Sequence, residues 1–440
     1  MSIGNGILKV GVGRADITPE VGAILHGYAP GRPAKSINDR LHFTCFAFGY
    51  GELRCLAASA DLCLLGEPIM GVIRKRMSEV TDVPVDNIIV CTTHTHSAPV
   101  TTDNHGYPMD REYVFGILPA KAEEAAVVAL AGMQPAEMGI GTTMSDVGVN
   151  RREITRNGSV ILGQNPCGSR DPVMTVVSFR TPEGRPIGNI IHYGAHNTAS
   201  GMNPEITRDW CGVMKDRLEE EIGGITAFFN GCEGDCGPRL TNGKTTGNLK
   251  LALELGGVAA ADAVRACRSI REWRRDCELK VLARDIELRY KPMPPLDDMK
   301  ARLAGFKNPE SLKGLNRTDY ESLVERIRIA ESGEPVPSGM HLRQTAVSIG
   351  SLALLPIPFE TFSGVTLRMS AHSRFAHTLS ISLANGANGY FPSRDQICRG
   401  GYEIWMFSSV RLFPFRDDSE QTYIEYCLGI LDELYDAGQK

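Results

Sequence analysis

The sequence predicts a mixed α/β fold in which mixed β-sheets are flanked by helices and a metal site lies at the tips of several strands. Short apolar runs rich in β-branched residues recur along the chain. Alanine-rich segments with helical spacing separate these runs. Several of the runs lead directly into histidine, glutamate or tyrosine. Strands that alternate with helices are typical of an α/β architecture.

Composition narrows the possible functions. With 440 residues, 42% of them hydrophobic, the chain can bury a large core, and we expect a single catalytic domain over residues 1–440. The net charge of −5 gives no basic surface for nucleic acid, so a small-molecule partner is expected. No run approaches the roughly 18 apolar residues of a membrane span, and the first ten residues lack an export signal. We therefore expect no stable membrane association, while the oligomeric state stays open.

The cysteines favour a cytoplasmic location. Twelve are scattered along the chain, many inside apolar runs where cysteine behaves as a small hydrophobic residue. Cys232 and Cys236 are close in sequence, but they lack the second pair that a zinc knuckle needs.

The first strands form a predicted hairpin. Residues 41–48 and 53–60 are apolar and are joined by a glycine-containing turn at residues 49–52. Asp61 follows the second strand. Its carboxylate could cap the helix predicted over residues 68–80, or it could orient a neighbouring histidine.

The next strand, residues 88–91, runs into His94 and His96. In an extended segment residues two apart point to the same side, so the two imidazoles would converge. They could bind one metal together, or one could bind it while the other acts as acid or base. A polar loop whose histidines only bond the backbone is the simpler alternative.

The rest of the chain continues this alternation of helices with apolar strands that lead into polar residues. Helices are predicted over residues 111–131, 209–221 and 249–267, and strands over 173–179, 187–196, 225–229, 277–290, 345–355 and 379–383. Residues 292–340 are charged, helical in pattern and bounded by prolines, which indicates a helical excursion. Further strand ends lead to His196, Glu360 and Tyr390.

Four strand ends thus offer metal-binding groups, namely His94, His196, Glu360 and Tyr390. Two imidazoles and a carboxylate are typical of catalytic zinc, which keeps one position for water, and a phenolate can add a weaker ligand. These residue types also suit manganese or iron.

Short motifs in the same order resemble those of the neutral/alkaline ceramidase family over most of the chain. The matching segments are Gly13-Arg-Ala-Asp-Ile-Thr-Pro19, Thr93-His-Thr-His-Ser97, Asn150-Arg151, Ala195-His196, Phe359-Glu360-Thr361, Asn385 to Tyr390, and Tyr402-Glu403.

This resemblance implies a hydrolase with one zinc per chain, held by His94, His196, Glu360 and Tyr390, that cleaves an amide bond with a metal-activated water. His96 and Arg151 would face the scissile amide. His96 would transfer a proton, while Arg151 and Tyr390 would stabilise the oxyanion.

Several further residues are expected around the site. Asp61 or Asp209 would orient the histidines, and the remaining candidates would line the pocket. These candidates are Glu233, Asp235 and Cys236.

The sequence also departs from the family pattern, because Gly237 stands where the family has a serine. We also expect no counterpart of the family's C-terminal immunoglobulin-like domain and no export signal. We therefore expect a small soluble substrate in place of long-chain ceramide. A lactone or ester hydrolase on the same metal, or a homologue that binds a ligand without turnover, are the alternatives.

Overall fold

A computed structural model of the chain describes residues 6–28, 31–102 and 108–437. It has the mixed α/β fold that the sequence predicts. The strands are β1 (Lys9–Asp16), β2 (Ile24–Leu25), β3 (Arg32–Pro33), β4 (Ser36–Ile37), β5 (His42–Tyr50), β6 (Leu53–Ala60), β7 (Ile88–Thr92), β8 (Gln134–Pro135), β9 (Glu137–Met144), β10 (Gly148–Ile154), β11 (Val160–Asn165), β12 (Val173–Arg180), β13 (Pro186–Tyr193), β14 (Glu205–Ile206), β15 (Ile225–Asn230), β16 (Cys236–Pro238), β17 (Leu279–Arg289), β18 (Gly339–Ile349), β19 (Leu352–Pro356), β20 (Glu360–Thr361), β21 (His377–Ile381) and β22 (Tyr390–Phe391).

Helices cover the sheets and fill the segments between them. The α-helices are α1 (Ile69–Thr81), α2 (Leu118–Ala131), α3 (Asp209–Ile222), α4 (Leu249–Arg268), α5 (Leu296–Ala304), α6 (Gly314–Ser332), α7 (Ser363–His372), α8 (Arg394–Ile397), α9 (Tyr402–Trp405) and α10 (Ser419–Asp436). Among the described residues, none of these helices is both long and apolar enough to cross a membrane.

Two sheets form the centre of the molecule, with strand orders β7-β6-β5-β1-β8 and β15-β13-β12-β9. The predicted hairpin is confirmed, because β5 and β6 pair antiparallel with Phe43 opposite Ala60. The inner faces meet through buried aromatic side chains, and the rings of Phe46 and Phe179 lie 5.9 Å apart. Helices α1 and α2 cover the outer face of the first sheet, while α3 and α4 cover the second. The result is a helix–sheet–sheet–helix arrangement.

A third sheet, β17-β18-β19-β21, packs against α7 and α10. The segment predicted as a helical excursion lies inside its β17–β18 hairpin and contains α5 and α6. These two helices pack on each other through a small core of their own, formed by Met299, Leu323 and Ile327.

Parallel strand pairs bring the functional loops together. β6 pairs parallel with β7, β13 with β15, and β20 with β22. Because parallel strands end at the same edge of a sheet, the segments that follow them are neighbours. Thr95, after β7, forms a parallel bridge with Asn197, after β13. The two histidine loops therefore lie side by side between the central sheets and the third sheet.

Candidate metal centre

His94 and His96 converge, but not by the alternation of an extended strand. β7 ends at Thr92, and His94 has a left-handed backbone with a φ of 65°. This conformation is unfavourable for most side chains. It is held in place here by a hydrogen bond from the His94 amide to the Leu62 carbonyl, at 2.9 Å. The two Nε2 atoms come within 3.2 Å of each other. The predicted convergence is confirmed, whereas the extended geometry behind the prediction is wrong.

Backbone carbonyls fix the rings of both proposed histidine ligands. The Nδ1 atom of His94 lies 2.7 Å from the Cys63 carbonyl oxygen, and that of His196 lies 2.7 Å from the Glu233 carbonyl oxygen. A carbonyl can only accept, so each Nδ1 carries the proton and each Nε2 presents a lone pair. Burial lowers the pKa of both imidazoles, which favours the neutral form that binds metal.

Glu360 and Tyr390 reach the same point from the short parallel pair β20 and β22, in which they lie opposite each other. The Oε2 atom of Glu360 is 3.5 Å from Nε2 of His94 and 3.3 Å from Nε2 of His196. The Tyr390 hydroxyl is 3.5 Å from Nε2 of His196. Ligand atoms bound tetrahedrally to zinc at about 2.0–2.2 Å are themselves about 3.3–3.6 Å apart.

The arrangement of these groups fits a cation. His94, His196 and Glu360 bring their ligand atoms within 4.8 Å of one another. The Glu360 Oε2 atom is buried and receives no hydrogen bond from the described residues. Two lone pairs and a carboxylate that face each other without a donor would repel, and a metal ion removes that repulsion.

His96 lies outside this group but belongs to a second possible metal-binding group, with Cys63 and His94. Its Nδ1 atom has no hydrogen-bond partner among the described residues, and the Tyr28 ring packs edge-on against it at 5.1 Å. A Cβ on Gly27 would come 2.3 Å from Cγ of His96, so the glycine is needed for the ring to fit. Burial, with the nearby imidazoles of His94 and His196, lowers the pKa of His96 well below its usual value. The ring is thus neutral and can accept a proton.

Arg151 presents a fixed guanidinium to the centre. Its Nη2 donates to the Tyr390 hydroxyl at 2.9 Å, and its Nε donates to Glu403 at 2.8 Å. Glu403 also accepts from Nη1 of Arg152 at 2.7 Å. Burial opposes the charge of Arg151, but Tyr390 and Glu403 outweigh it and raise the pKa. The guanidinium stays charged and cannot rotate freely.

Asp61 and Asp209 do not orient the histidines, which corrects the expectation for both. Asp61 forms a buried ion pair with Lys215 at 2.6 Å and accepts from the His42 amide. It also does not cap α1, whose first residues it does not contact with a side-chain bond. Asp209 accepts from the amides of Ala199 and Ser200. Asp209 therefore fixes the loop after His196. Backbone carbonyls, and not these two carboxylates, orient the rings of His94 and His196.

The expected pocket residues lie behind the centre, because the loop turns their side chains inward. Glu233 and Cys236 contribute carbonyl oxygens to Nδ1 of His196, at 2.7 and 3.2 Å. Burial, followed by the neighbouring Glu360, raises the pKa of the Glu233 carboxyl well above its usual range. Asp235 accepts from the Ser363 amide and lines a separate cavity of about 520 Å³. Burial raises the pKa of Asp235 to about 6.

The sequence did not identify two residues that hold side chains of the site in position. Glu403 joins Arg151 to Arg152, and the Tyr402-Glu403 motif was the signal that could have identified it. Cys63 orients His94 through its backbone carbonyl, which any residue could supply. For that reason the sequence carries no signal for Cys63.

The candidate metal centre opens into a cleft of about 910 Å³. His96, Arg151 and Tyr390 line its inner end, and the first turns of α6 line another side through Leu315 and Thr318. The space beside Gly237, where a serine side chain would lie, is filled by a residue of the cleft. A Cβ at that position would come 2.7 Å from the side chain of Thr245, a cleft residue that fills the space.

Comparison with known proteins identifies the family. The sequence matches the family model for neutral/alkaline non-lysosomal ceramidase, N-terminal, over residues 8–251, which is more than half of the chain. The chain belongs to this family. The resemblance seen in the sequence motifs is therefore confirmed. No curated protein matches the sequence significantly.

Solved ceramidases share the fold. A neutral ceramidase from Pseudomonas aeruginosa superposes with a TM-score of 0.75 at 19% identity, and the match covers 99% of this chain and 75% of that one. A structure described as ceramidase complexed with C2 has a TM-score of 0.75 at 18% identity, covering 98% and 76%. Family and fold together make this chain a ceramidase-like hydrolase.

Proposed function

We propose that the chain is a zinc-dependent amidohydrolase that cleaves the C–N bond of a small soluble substrate. The observation that carries the proposal is the convergence of two carbonyl-locked histidines and an unbonded buried carboxylate, His94, His196 and Glu360. Tyr390 would complete the ligand set. One zinc ion per chain fits this set.

Bound zinc would lower the pKa of a water molecule to about 7 and polarise the substrate carbonyl. The chain's own groups account for the other requirements of the reaction. His96, neutral and open to the cleft, would accept a proton at Nε2 or Nδ1 and return it to the departing amine. Arg151 and the Tyr390 hydroxyl would donate hydrogen bonds to the oxyanion as it develops.

The cleft supports a substrate other than long-chain ceramide. Position 237 cannot supply the hydroxyl of the family's serine, and neither Ser200 nor Cys236 lines the cleft. Ser200 is buried and donates to Asp209 at 2.5 Å, while Cys236 lies behind His196. Thr245 occupies the space instead. Different polar contacts in the cleft favour a different polar group on the substrate.

We further propose that the chain acts as one catalytic domain in the cytoplasm. In support of one domain, the cleft is lined by loops that follow strands of both central sheets and of the third sheet, through Cys63, Thr198 and Leu383, and by α6. In support of the cytoplasm, none of the twelve cysteines forms a disulfide, which is typical of a reducing compartment.

The test combines metal analysis with a substrate panel. We expect about one zinc per chain by elemental analysis. We also expect soluble N-acyl compounds to be hydrolysed with a higher kcat/KM than ceramides of graded acyl length. Chelator-treated protein serves as the control, and zinc should restore its activity.

Other results would redirect the proposal. Faster turnover of lactones or esters than of any amide would make the chain a lactone or ester hydrolase. Stoichiometric metal without turnover of any class would indicate a binding homologue. Efficiency that rises with the acyl length of ceramide would overturn the soluble substrate.

A further inference from the structure

One arginine in the cleft has no role in the chemistry described above. Arg411 follows the π-helical turn Met406–Val410 and lines the cleft, with its side chain only partly exposed. No carboxylate lies within 4.0 Å of its guanidinium in the described part of the chain, and its Nε donates to no acceptor there. Its Nη2 donates to the Asn388 carbonyl, and the guanidinium lies 4.4 Å over the Phe415 ring.

Several other deep arginines of the chain are better paired, whereas the Nε of Arg239 also has no acceptor among the described residues. Arg151 and Arg152 share Glu403, and Arg208 forms ion pairs with Asp39 and Asp216. Arg326 has no carboxylate, but its guanidinium donates to several carbonyl oxygens. A buried cation with a single carbonyl acceptor is unfavourable unless another group pairs with it. Burial lowers the pKa of Arg411 to about 10, which still leaves it charged at neutral pH.

The helical excursion holds Arg411 in place. Arg326 of α6 donates to the carbonyls of Ser409 at 2.9 Å and Leu412 at 2.7 Å, and also to that of Arg411 itself. Ser322, one turn earlier in α6, donates to the Val410 carbonyl at 2.7 Å. The carbonyls of residues 409–412 thus accept hydrogen bonds from side chains of α6. The backbone that carries the Arg411 guanidinium is therefore fixed.

Arg411 also lies at the metal end of the cleft. A Cβ on Gly389 would fall 3.6 Å from its Nη2, and the Gly389 carbonyl accepts from the Glu360 amide at 3.0 Å. Gly389 immediately precedes Tyr390. The guanidinium is therefore next to the backbone that carries two of the proposed metal ligands.

The charges that line the cleft favour an anion. Arg151 is neutralised by Glu403, and Glu360 faces the proposed metal. Lys244 at the rim has an exposed side chain with no carboxylate within 4.0 Å among the described residues. Glu153 is the remaining acidic residue in the described lining. An excess of positive charge attracts an anionic ligand.

We propose that Arg411 recognises a carboxylate on the substrate, close to the scissile amide, so that the substrate class is an acidic N-acyl compound such as an N-acyl amino acid. The single charge of a carboxylate matches the single guanidinium at this end of the cleft. This inference rests on the proposed amide-hydrolase function, because it specifies the substrate of the same site.

Binding of a matched pair of probes tests the inference separately from turnover. The probes are N-octanoylglycine and its neutral amide, titrated calorimetrically into the full-length His96→Ala chain, whose turnover should be slow. We expect the acid to bind about 10- to 100-fold more tightly than the amide, the range for a hydrogen bond to a charged group. Adding Arg411→Met should bring the ratio of the two affinities close to one.

Three controls keep the result interpretable. Arg416→Met removes an exposed arginine five residues away that pairs with Asp418, and the ratio should not change. Arg411→Lys keeps the charge but not the planar fork, so it should give an intermediate ratio. Thermal melting of each variant shows whether the fold is retained.

Equal binding of the two probes by the parent chain, or no measurable binding of either, would overturn the inference. It would also fail if the preference for the acid persisted in Arg411→Met, because the carboxylate would then contact the metal or Lys244. Binding that depends on Arg411 without turnover of any amide by the wild type would refute the proposed function alone.

Discussion

Two walls of the cleft are built in different ways. The strand-tip wall consists of His94, His96, Glu360 and Tyr390, with His196 next to Glu360. The proposed ligand side chains are fixed by backbone carbonyls or by parallel strand pairing. The helical wall consists of α6 and residues 406–412, which are held to α6 through arginine and serine side chains. The first wall is suited to metal chemistry, which requires fixed ligand positions, and the second to selecting what enters.

The difference follows from where each wall lies in the chain. The strands before His94 and His196 share one large apolar core, and Tyr390 belongs to another, so moving one tip would disturb the packing of several strands. By contrast, α5 and α6 are inserted between β17 and β18 and have a separate small core. A change inside this small core leaves the packing of the central strands intact, and it reaches the candidate metal centre through residues 403–412. The two walls should therefore respond differently to substitution.

The largest effect should come from the ligands of the strand-tip wall. His94→Ala or His196→Ala removes one of the two neutral imidazoles, so the metal affinity should fall by more than about 100-fold and activity should be lost with it. Elemental analysis and a hydrolysis assay measure both. His372→Ala is the matched control, because His372 is exposed on α7. Full metal occupancy in either ligand variant would show that the site is misassigned.

A second effect separates proton transfer from metal binding within the same wall. His96→Ala should keep the metal but lose about 10²- to 10⁴-fold in kcat, because the ring lies outside the His94–His196–Glu360 group. The alternative group that His96 forms with Cys63 and His94 makes this the deciding variant. Metal content and kcat are measured on the same preparation. A variant that loses its zinc would identify His96 as a ligand.

The third prediction concerns the junction between the two walls. Glu403 on α9 bonds Arg151 and Arg152, and Trp405 of the same helix donates to Asp319 of α6 at 3.3 Å. Glu403→Gln leaves a buried positive charge without its partner, and this should lower the free energy of unfolding by about 3–5 kcal/mol.

Chemical denaturation measures the loss, with Glu334→Gln as the control. Glu334 pairs with Arg328 on the surface, where such pairs contribute about 0–1 kcal/mol. Equal losses in both variants would mean that the buried network does not hold the walls together.

The smallest expected effect tests the packing at Gly237. Gly237→Ser would bring the new side chain against Thr245, and overpacking of this kind costs about 1–3 kcal/mol of unfolding free energy. Thr245→Ala in the same chain should recover most of the loss, and denaturation of the single and double variants measures it. Unchanged stability in the single variant would show that the residue 245 loop moves aside easily, so that the cleft could adapt to other substrates.

Local sequence patterns were sufficient to predict that apolar strands lie close to the residues that meet at the site. The strand bounds were less accurate, because β20 and β22 begin at Glu360 and Tyr390, β13 ends three residues before His196, and the strand predicted over 345–355 is divided between β18 and β19. The fold class and the helical insertion also follow from periodicity and composition. These features are encoded within a few consecutive residues, so a single sequence displays them.

The partners and orientations that the sequence left open depend on contacts between segments that are distant in the chain, and only the tertiary structure decided them. Asp61 could cap a helix or orient a histidine by sequence, yet it pairs with Lys215, 154 positions away. The left-handed turn at His94 and the carbonyl of Cys63 involve backbone atoms, which leave no residue signature. Arg411 lacks a carboxylate because of how α6 holds residues 409–412. The physical reason is that pairing, burial and orientation are set by which segments pack together, and residue identity alone does not specify that.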